Sequence, residues 1–169
     1  MLLNIVANWF YGVNWSVINS RQSRNSSGQE MKWFLVAWFK LAKWHLTINY
    51  RAYSVWRHEV VSPCHDLVIS SSEGIDPMAL IKQVDLAADH HLFKLNSLRR
   101  CVVQREMLVR NGVPATLHFG AYSKLGDTKV KCWLDVGGKL LNENPSEIAK
   151  YKELDLSKPK GIDWLAFLL

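Results

Sequence analysis

The sequence has few cysteines and no close cysteine pair. Its three cysteines, Cys64, Cys101 and Cys132, are an odd number and stand far apart in the chain. Disulfide frameworks use an even set of cysteines, and zinc sites use closely spaced ligand pairs. We therefore expect no disulfide framework and no zinc site, and no motif in the chain indicates another metal or an organic cofactor. A reducing cytoplasm suits such isolated thiols.

The chain also lacks a long apolar run. Residues 1–13 are apolar and aromatic, but they are too short and too interrupted by asparagine to span a bilayer. They have neither the basic start nor the small-residue cleavage site of a secretory signal. Residues 19–30, which follow, are almost all polar. We therefore take residues 1–30 as an uncertain N-terminal extension. The alternative is that Met31 is the true start.

The overall composition is that of one globular domain. The 169 residues are 49% apolar and 21% charged, with no repeat and no charge block. The net charge of +6 suits an acidic partner, such as nucleic acid, an anionic membrane or an acidic peptide. A merely basic soluble protein fits equally well. Because the basic residues are scattered without an aromatic-basic motif, we expect no nucleic-acid partner.

An amphipathic helical segment is predicted over residues 31–62, with its clearest pattern from Lys32 to Arg57. Polar residues recur along one stripe at intervals of three and four: Lys40, Lys43, Thr47, Arg51 and Ser54. The other face is mostly apolar: Phe34, Leu35, Trp38, Leu41, Ala42, Tyr53 and Trp56. Lysines near the middle argue against a membrane span, so this segment packs on the domain or contacts a membrane surface or a partner.

The remainder, residues 63–169, is predicted to be one α+β domain. After a short apolar run at 67–69, Asp76 and Pro77 begin a helix that ends near His90. Asn96 and Ser97 cap a second helix, which reaches Arg110 and is stopped by Gly112.

Beyond Pro114 the hydrophobic period becomes two, which predicts strands over 115–120, 129–136 and 139–142. The first two are joined by a turn at 123–127, and the last two by a Gly137-Gly138 hairpin. A short helix from Pro145 to Lys152 and an apolar end at 162–169, which folds back on the domain, complete the prediction.

Cys101 lies within about a turn of the start of the second helix. The unpaired N–H groups and the dipole at a helix start favour a thiolate, so this position suits a nucleophile. Free cysteine is also among the most buried residue types, and an ordinary buried thiol is the other interpretation.

Four segments around this helix carry a family resemblance: residues 101–104, 108–115, 117–120 and 132–143. Together they resemble the transglutaminase-like leader peptidase of lasso-peptide biosynthesis, the microcin J25-processing type of B protein. The segment 31–57 is similar to that family's N-terminal helical part. The resemblance implies a papain-like or transglutaminase-like core, in which a nucleophile helix packs on a small antiparallel sheet behind N-terminal helices.

The resemblance also implies a cysteine-protease site. A cysteine attacks the scissile carbonyl, a histidine on the middle strand transfers the proton, and a carboxylate or amide on the next strand orients the histidine. Cys101 matches the nucleophile, but Lys131 occupies the histidine position. Glu143 or Asn142 matches the third member, depending on how the hairpin is counted.

A protonated lysine cannot accept a thiol proton, although its charge favours a thiolate beside it. Pairing the strands about their turn brings Gly120 opposite Lys131 and puts His118 on the same face, within a diagonal step. His118 is therefore a candidate replacement base, and a half-buried strand histidine is the alternative.

Three functions follow from this resemblance. The first is a cysteine peptidase that removes the leader from a lasso-peptide precursor, with the precursor leader, a small leader-binding protein and the macrolactam-forming cyclase as partners. The second is a degenerate peptidase fold that binds peptide or protein without cutting. The third is another acyl or amide transfer on the same thiol.

Overall fold

The structure, a computed structural model, describes residues 24–61, 75–124, 127–141 and 143–154. Its elements in chain order are α1 (Arg24–Tyr50), α2 (Tyr53–Val61), α3 (Pro77–Asp89), α4 (Ser97–Arg110), β1 (Thr116–Lys124), β2 (Asp127–Val136), β3 (Lys139–Leu141), α5 (Pro145–Ile148) and β4 (Lys152–Glu153). The expectations for residues 1–23, for the run at 67–69 and for the apolar end at 162–169 lie outside these ranges, as does Cys64.

The predicted α+β architecture is confirmed. The four strands form one antiparallel sheet in the order β3-β2-β1-β4. Helix α4 packs on β1 and β2, while its other sides contact α1 and α3. None of the helices in the described ranges combines the length and apolarity that a membrane span requires.

The ends of α3 and α4 are set by local chemistry that the sequence predicts. The Asp76 carboxylate accepts from the Met78 N–H, and the Asn96 side chain accepts from the Arg99 N–H. Gly112, with φ of 77°, follows the C-terminal turn of α4, where the Val113 N–H donates to the Leu108 carbonyl.

The N-terminal segment differs from the single helix expected over 32–57. Helix α1 already includes residues 24–30, and the chain breaks at Arg51 and Ala52 before α2. Lys40, predicted on a solvent-facing polar stripe, is instead largely buried and bonded to Glu106 of α4. It lies one turn from the buried residues Ala37 and Trp44, and Trp44 Nε1 also donates to Glu106. The Lys40 bond and charge lower the pKa of Glu106, although burial opposes them.

The sheet is longer than predicted at one end. Strands β1 and β2 pair as far as Lys124 and Asp127, so Ser123, Lys124 and Asp127 belong to strands rather than to a turn. The helix after Pro145 ends at Ile148 instead of Lys152, because Lys152 and Glu153 pair with Ala121 and Gly120 as β4.

Gly120 is buried where no side chain would fit. A Cβ there would lie 2.7 Å from Cη2 of Trp133 and 2.9 Å from Cβ of Tyr151. The Trp133 ring therefore lies across the centre of the sheet and is closed in by Tyr151.

We expect Gly120→Ala to lower the free energy of unfolding by about 1–3 kcal/mol, because the sheet backbone or the Trp133 ring must shift. Urea denaturation followed by circular dichroism measures this change. Gly28→Ala is the matched control: nothing lies within 4 Å of its Cβ, and alanine is the better helix former, so stability should hold or rise. A Gly120→Ala midpoint equal to that of the wild type would contradict the packing.

Candidate functional site

Cys101 lies in the second turn of α4 and faces the sheet. Its side chain is buried, and its thiol donates to the backbone carbonyl of Cys132, with 3.6 Å between sulfur and oxygen. Cys101 and Cys132 are both free thiols. Both belong to the hydrophobic core, together with Phe119 and Leu134 of the sheet.

The surroundings of Cys101 oppose ionisation. Its hydrogen bonding to Cys132 and its burial raise the pKa of the Cys101 thiol well above the ordinary value, and the negative charges of Glu143 and Asp85 raise it further. The start of α4 does not overcome these effects. The thiol is therefore protonated at neutral pH in this arrangement.

Lys131 and Glu143 form an ion pair at the position of the expected catalytic histidine. Lys131 Nζ lies 2.7 Å from Glu143 Oε2, and both side chains are about one-quarter exposed, at 28% and 26%. The hydrogen bond to Glu143 raises the pKa of Lys131, so the lysine stays protonated. Lys131 consequently cannot serve as a proton acceptor.

The predicted strand register is confirmed. Gly120 pairs with Lys131, and His118 pairs directly with Trp133. Because side chains alternate along a strand, His118, Lys131 and Trp133 share one face, and Cys132 points to the other. The predicted hairpin at Gly137 and Gly138 is also confirmed, since Leu134 of β2 pairs with Leu141 of β3.

His118 is held on its own face of the sheet. Its ring stacks on Trp133 at a centroid distance of 6.0 Å, and Nδ1 lies 2.6 Å from Oε1 of Glu153. Its Nε2 lies 4.0 Å from Oδ1 of Asp135. The carboxylates orient the imidazole. The thiol of Cys101 is directed instead at the backbone carbonyl of Cys132, which lies in the plane of the sheet.

The structure thus brings only some of the predicted catalytic residues together. Lys131 and Glu143 are in contact, and the Glu143 charge acts on Cys101. His118 makes no hydrogen bond to Cys101 among the described residues. Asn142, the other candidate for the third member, lies outside them.

Sequence reasoning missed two groups beside the thiol. Gln104 Nε2 donates to Asp85 Oδ1 at 2.8 Å, and burial raises the pKa of Asp85. Gln104 follows Cys101 by three residues, so helical periodicity could have placed it on the same side of α4. No pattern in the sequence indicates Asp85, because it approaches Cys101 only through the packing of α3 on α4. Glu153, the partner of His118, was not among the predicted site residues, and it comes from β4, a strand that the sequence analysis did not predict.

Comparison with known families agrees with this fold of helices on a small antiparallel sheet. The model described as transglutaminase-like superfamily matches residues 70–155, just over half of the chain. The chain belongs to the transglutaminase-like superfamily. No curated protein and no solved structure matches it in the corresponding searches.

The matched region of this transglutaminase-like protein contains the candidate site. It runs from before α3 to the end of β4 and so includes Cys101, His118, Lys131 and Glu143. The superfamily includes cysteine peptidases, which agrees with a thiol on a helix beside a sheet. The N-terminal helix α1 lies outside the match.

We expect Cys101 to react slowly with iodoacetamide at neutral pH, because both burial and the raised pKa limit the thiolate. Glu143→Gln removes one negative charge that raises that pKa and leaves Lys131 as an unpaired cation. The pKa should fall, and alkylation at mildly alkaline pH should become several-fold faster. Peptide mapping by mass spectrometry separates Cys101 from the other cysteines.

Glu147→Gln is the matched control for that measurement. It removes a carboxylate that pairs with Lys150 and that is not one of the main charges raising the pKa of the thiol. An alkylation rate for native Cys101 equal to that of the urea-unfolded chain would show that the thiol is neither buried nor suppressed.

Proposed function

We propose that this transglutaminase-like protein works in the maturation of a ribosomally made lasso peptide and binds the leader region of the precursor without cutting it. The pathway is supported by the motif resemblance over residues 101–143, which is finer than the superfamily match. The absence of cleavage is supported by one observation, the Lys131–Glu143 ion pair at the histidine position.

The chemistry of peptide cleavage explains why this pair matters. The thiol must lose a proton to attack, and the leaving amine must receive one. A lysine with a raised pKa does neither efficiently at neutral pH, and the buried Cys101 thiol is bonded to a backbone carbonyl. The site has a thiol at the position of the nucleophile, and among the described residues no histidine makes a hydrogen bond to it.

Leader cleavage is the second candidate function, and the geometry of His118 favours it. A histidine with a carboxylate oxygen 2.6 Å from Nδ1 has the form of an oriented base. For this base to serve Cys101, the thiol must leave the Cys132 carbonyl and come within hydrogen-bond reach of the imidazole. The partners of either function are the precursor leader, a small leader-binding protein and the macrolactam-forming cyclase.

The two candidates differ in a direct assay with the precursor and the leader-binding protein. We expect the wild-type protein to bind a fluorescent leader peptide and to release no leader by mass spectrometry. Lys131→His supplies a base at the family's position, so it should produce release that is lost again in the Lys131→His/Cys101→Ala double variant.

Release by the wild-type protein that Cys101→Ala abolishes would replace the binding proposal with the peptidase. His118→Ala then tests the base, with the exposed His58→Ala as its matched control. Absence of both leader binding and release would reject the role in lasso-peptide maturation.

A further inference from the structure

Helix α1 has two apolar stripes on opposite sides. The inner stripe repeats at intervals of three and four and is fully buried against the domain: Phe34, Ala37, Leu41, Trp44 and Ile48. Its exposed fractions are 7% or less. Together with the Lys40–Glu106 bond, this stripe fixes α1 to α3 and α4.

The outer stripe repeats the same spacing two residues later: Val36, Phe39, Lys43, Leu46 and Tyr50. Two residues correspond to about 200° around a helix, so this stripe faces away from the core. Every member is exposed, and the apolar ones reach 38% for Val36, 64% for Phe39, 49% for Leu46 and 82% for Tyr50.

The loop before α4 extends this apolar surface. Leu92 and Phe93 are exposed at 53% and 37%. The Phe93 ring stacks on His45 at 4.2 Å between centroids, which places the loop beside Leu46 of the outer stripe. The surface is therefore supported by packed rings from two elements.

The shape of the outer stripe favours a helical partner over a membrane. Two apolar positions in each seven residues form the narrow seam of a coiled coil, whereas a membrane-surface helix presents a wider apolar face. Most positions between the seam and the core are polar or half-buried, so α1 offers no broad apolar side to lipid.

The charge of the outer stripe argues against a second copy of the chain as the partner that binds it. Lys43 is its central member, with two apolar residues on either side. A parallel in-register pairing of two α1 helices, or an antiparallel pairing that overlaps the whole stripe, would bring Lys43 against Lys43. Like charges at such a position are unfavourable. The complementary partner carries a carboxylate at this point.

We propose that the outer stripe binds an amphipathic helix of another protein, with apolar side chains against Phe39 and Leu46 and an acidic side chain opposite Lys43. This surface does not involve Cys101 and stands independently of leader binding. A buried like-charge mismatch at one seam position is enough to discriminate between partners.

The test uses the full chain and two synthetic helical peptides of about three heptads, with leucine at the seam and either glutamate or lysine at its central position. Fluorescence anisotropy should show the glutamate peptide binding at least about tenfold more tightly. Lys43→Glu should reverse the order of the two affinities, so that the lysine peptide binds more tightly. Leu46→Asp should abolish binding of both peptides.

Lys82→Glu makes the same charge change at an exposed position on α3 and should leave the order unaltered. Circular dichroism checks that Leu46→Asp, which alters an exposed residue, keeps the wild-type melting temperature. The proposal fails if neither peptide binds, or if Lys43→Glu does not change the order. It also fails if Leu46→Asp instead dissolves a dimer seen by light scattering, or removes binding to anionic vesicles.

Discussion

The burial of α4 is the constraint on which the other elements depend. Its apolar residues fill the core, but Gln104 and Arg105 are buried as well, and a buried polar group without a partner costs about 1–3 kcal/mol. Gln104 obtains its partner from α3, at Asp85. Arg105 donates to the carbonyls of Glu59 and Val60, near the C-terminal end of α2. Satisfying the polar groups of α4 thus positions the helices around it.

The same burial determines what Cys101 can do. Only the sheet side of α4 remains for the thiol, and there its hydrogen-bonding partner is the Cys132 carbonyl. By strand alternation, the side chains of His118 and Lys131 leave the sheet on the face opposite to the Cys132 side chain. Among the described residues, neither group makes a hydrogen bond to the thiol, whose partner is the Cys132 carbonyl. Charge still connects the two sets of groups, since Glu143 pairs with Lys131 and raises the pKa of Cys101.

The sequence analysis predicted the features of the structure that depend on residues close together in the chain. The caps at Asp76 and Asn96 set the starts of α3 and α4. The period-two pattern indicated the strands, and pairing β1 and β2 about the turn between them predicted the register that places Gly120 opposite Lys131. The failures are tertiary. Lys40 is buried because Glu106 on α4 supplies its counter-charge, and Glu153 reaches His118 because β4 adds to the sheet edge. No periodicity along the chain encodes either contact.

Lys131 illustrates how one position can change chemistry while the fold stays intact. It stands opposite Gly120, whose missing side chain leaves room for the Trp133 ring, so the residue at 131 lies beside the indole at the sheet surface. A lysine stem can cross this surface to reach Glu143, and a partly exposed ion pair contributes only about 0–1 kcal/mol to stability. The fold therefore gains little from the pair. Its main effect is electrostatic: it fixes a cation at the position where the family resemblance implies a histidine, and it holds the Glu143 carboxylate, whose charge raises the pKa of the thiol.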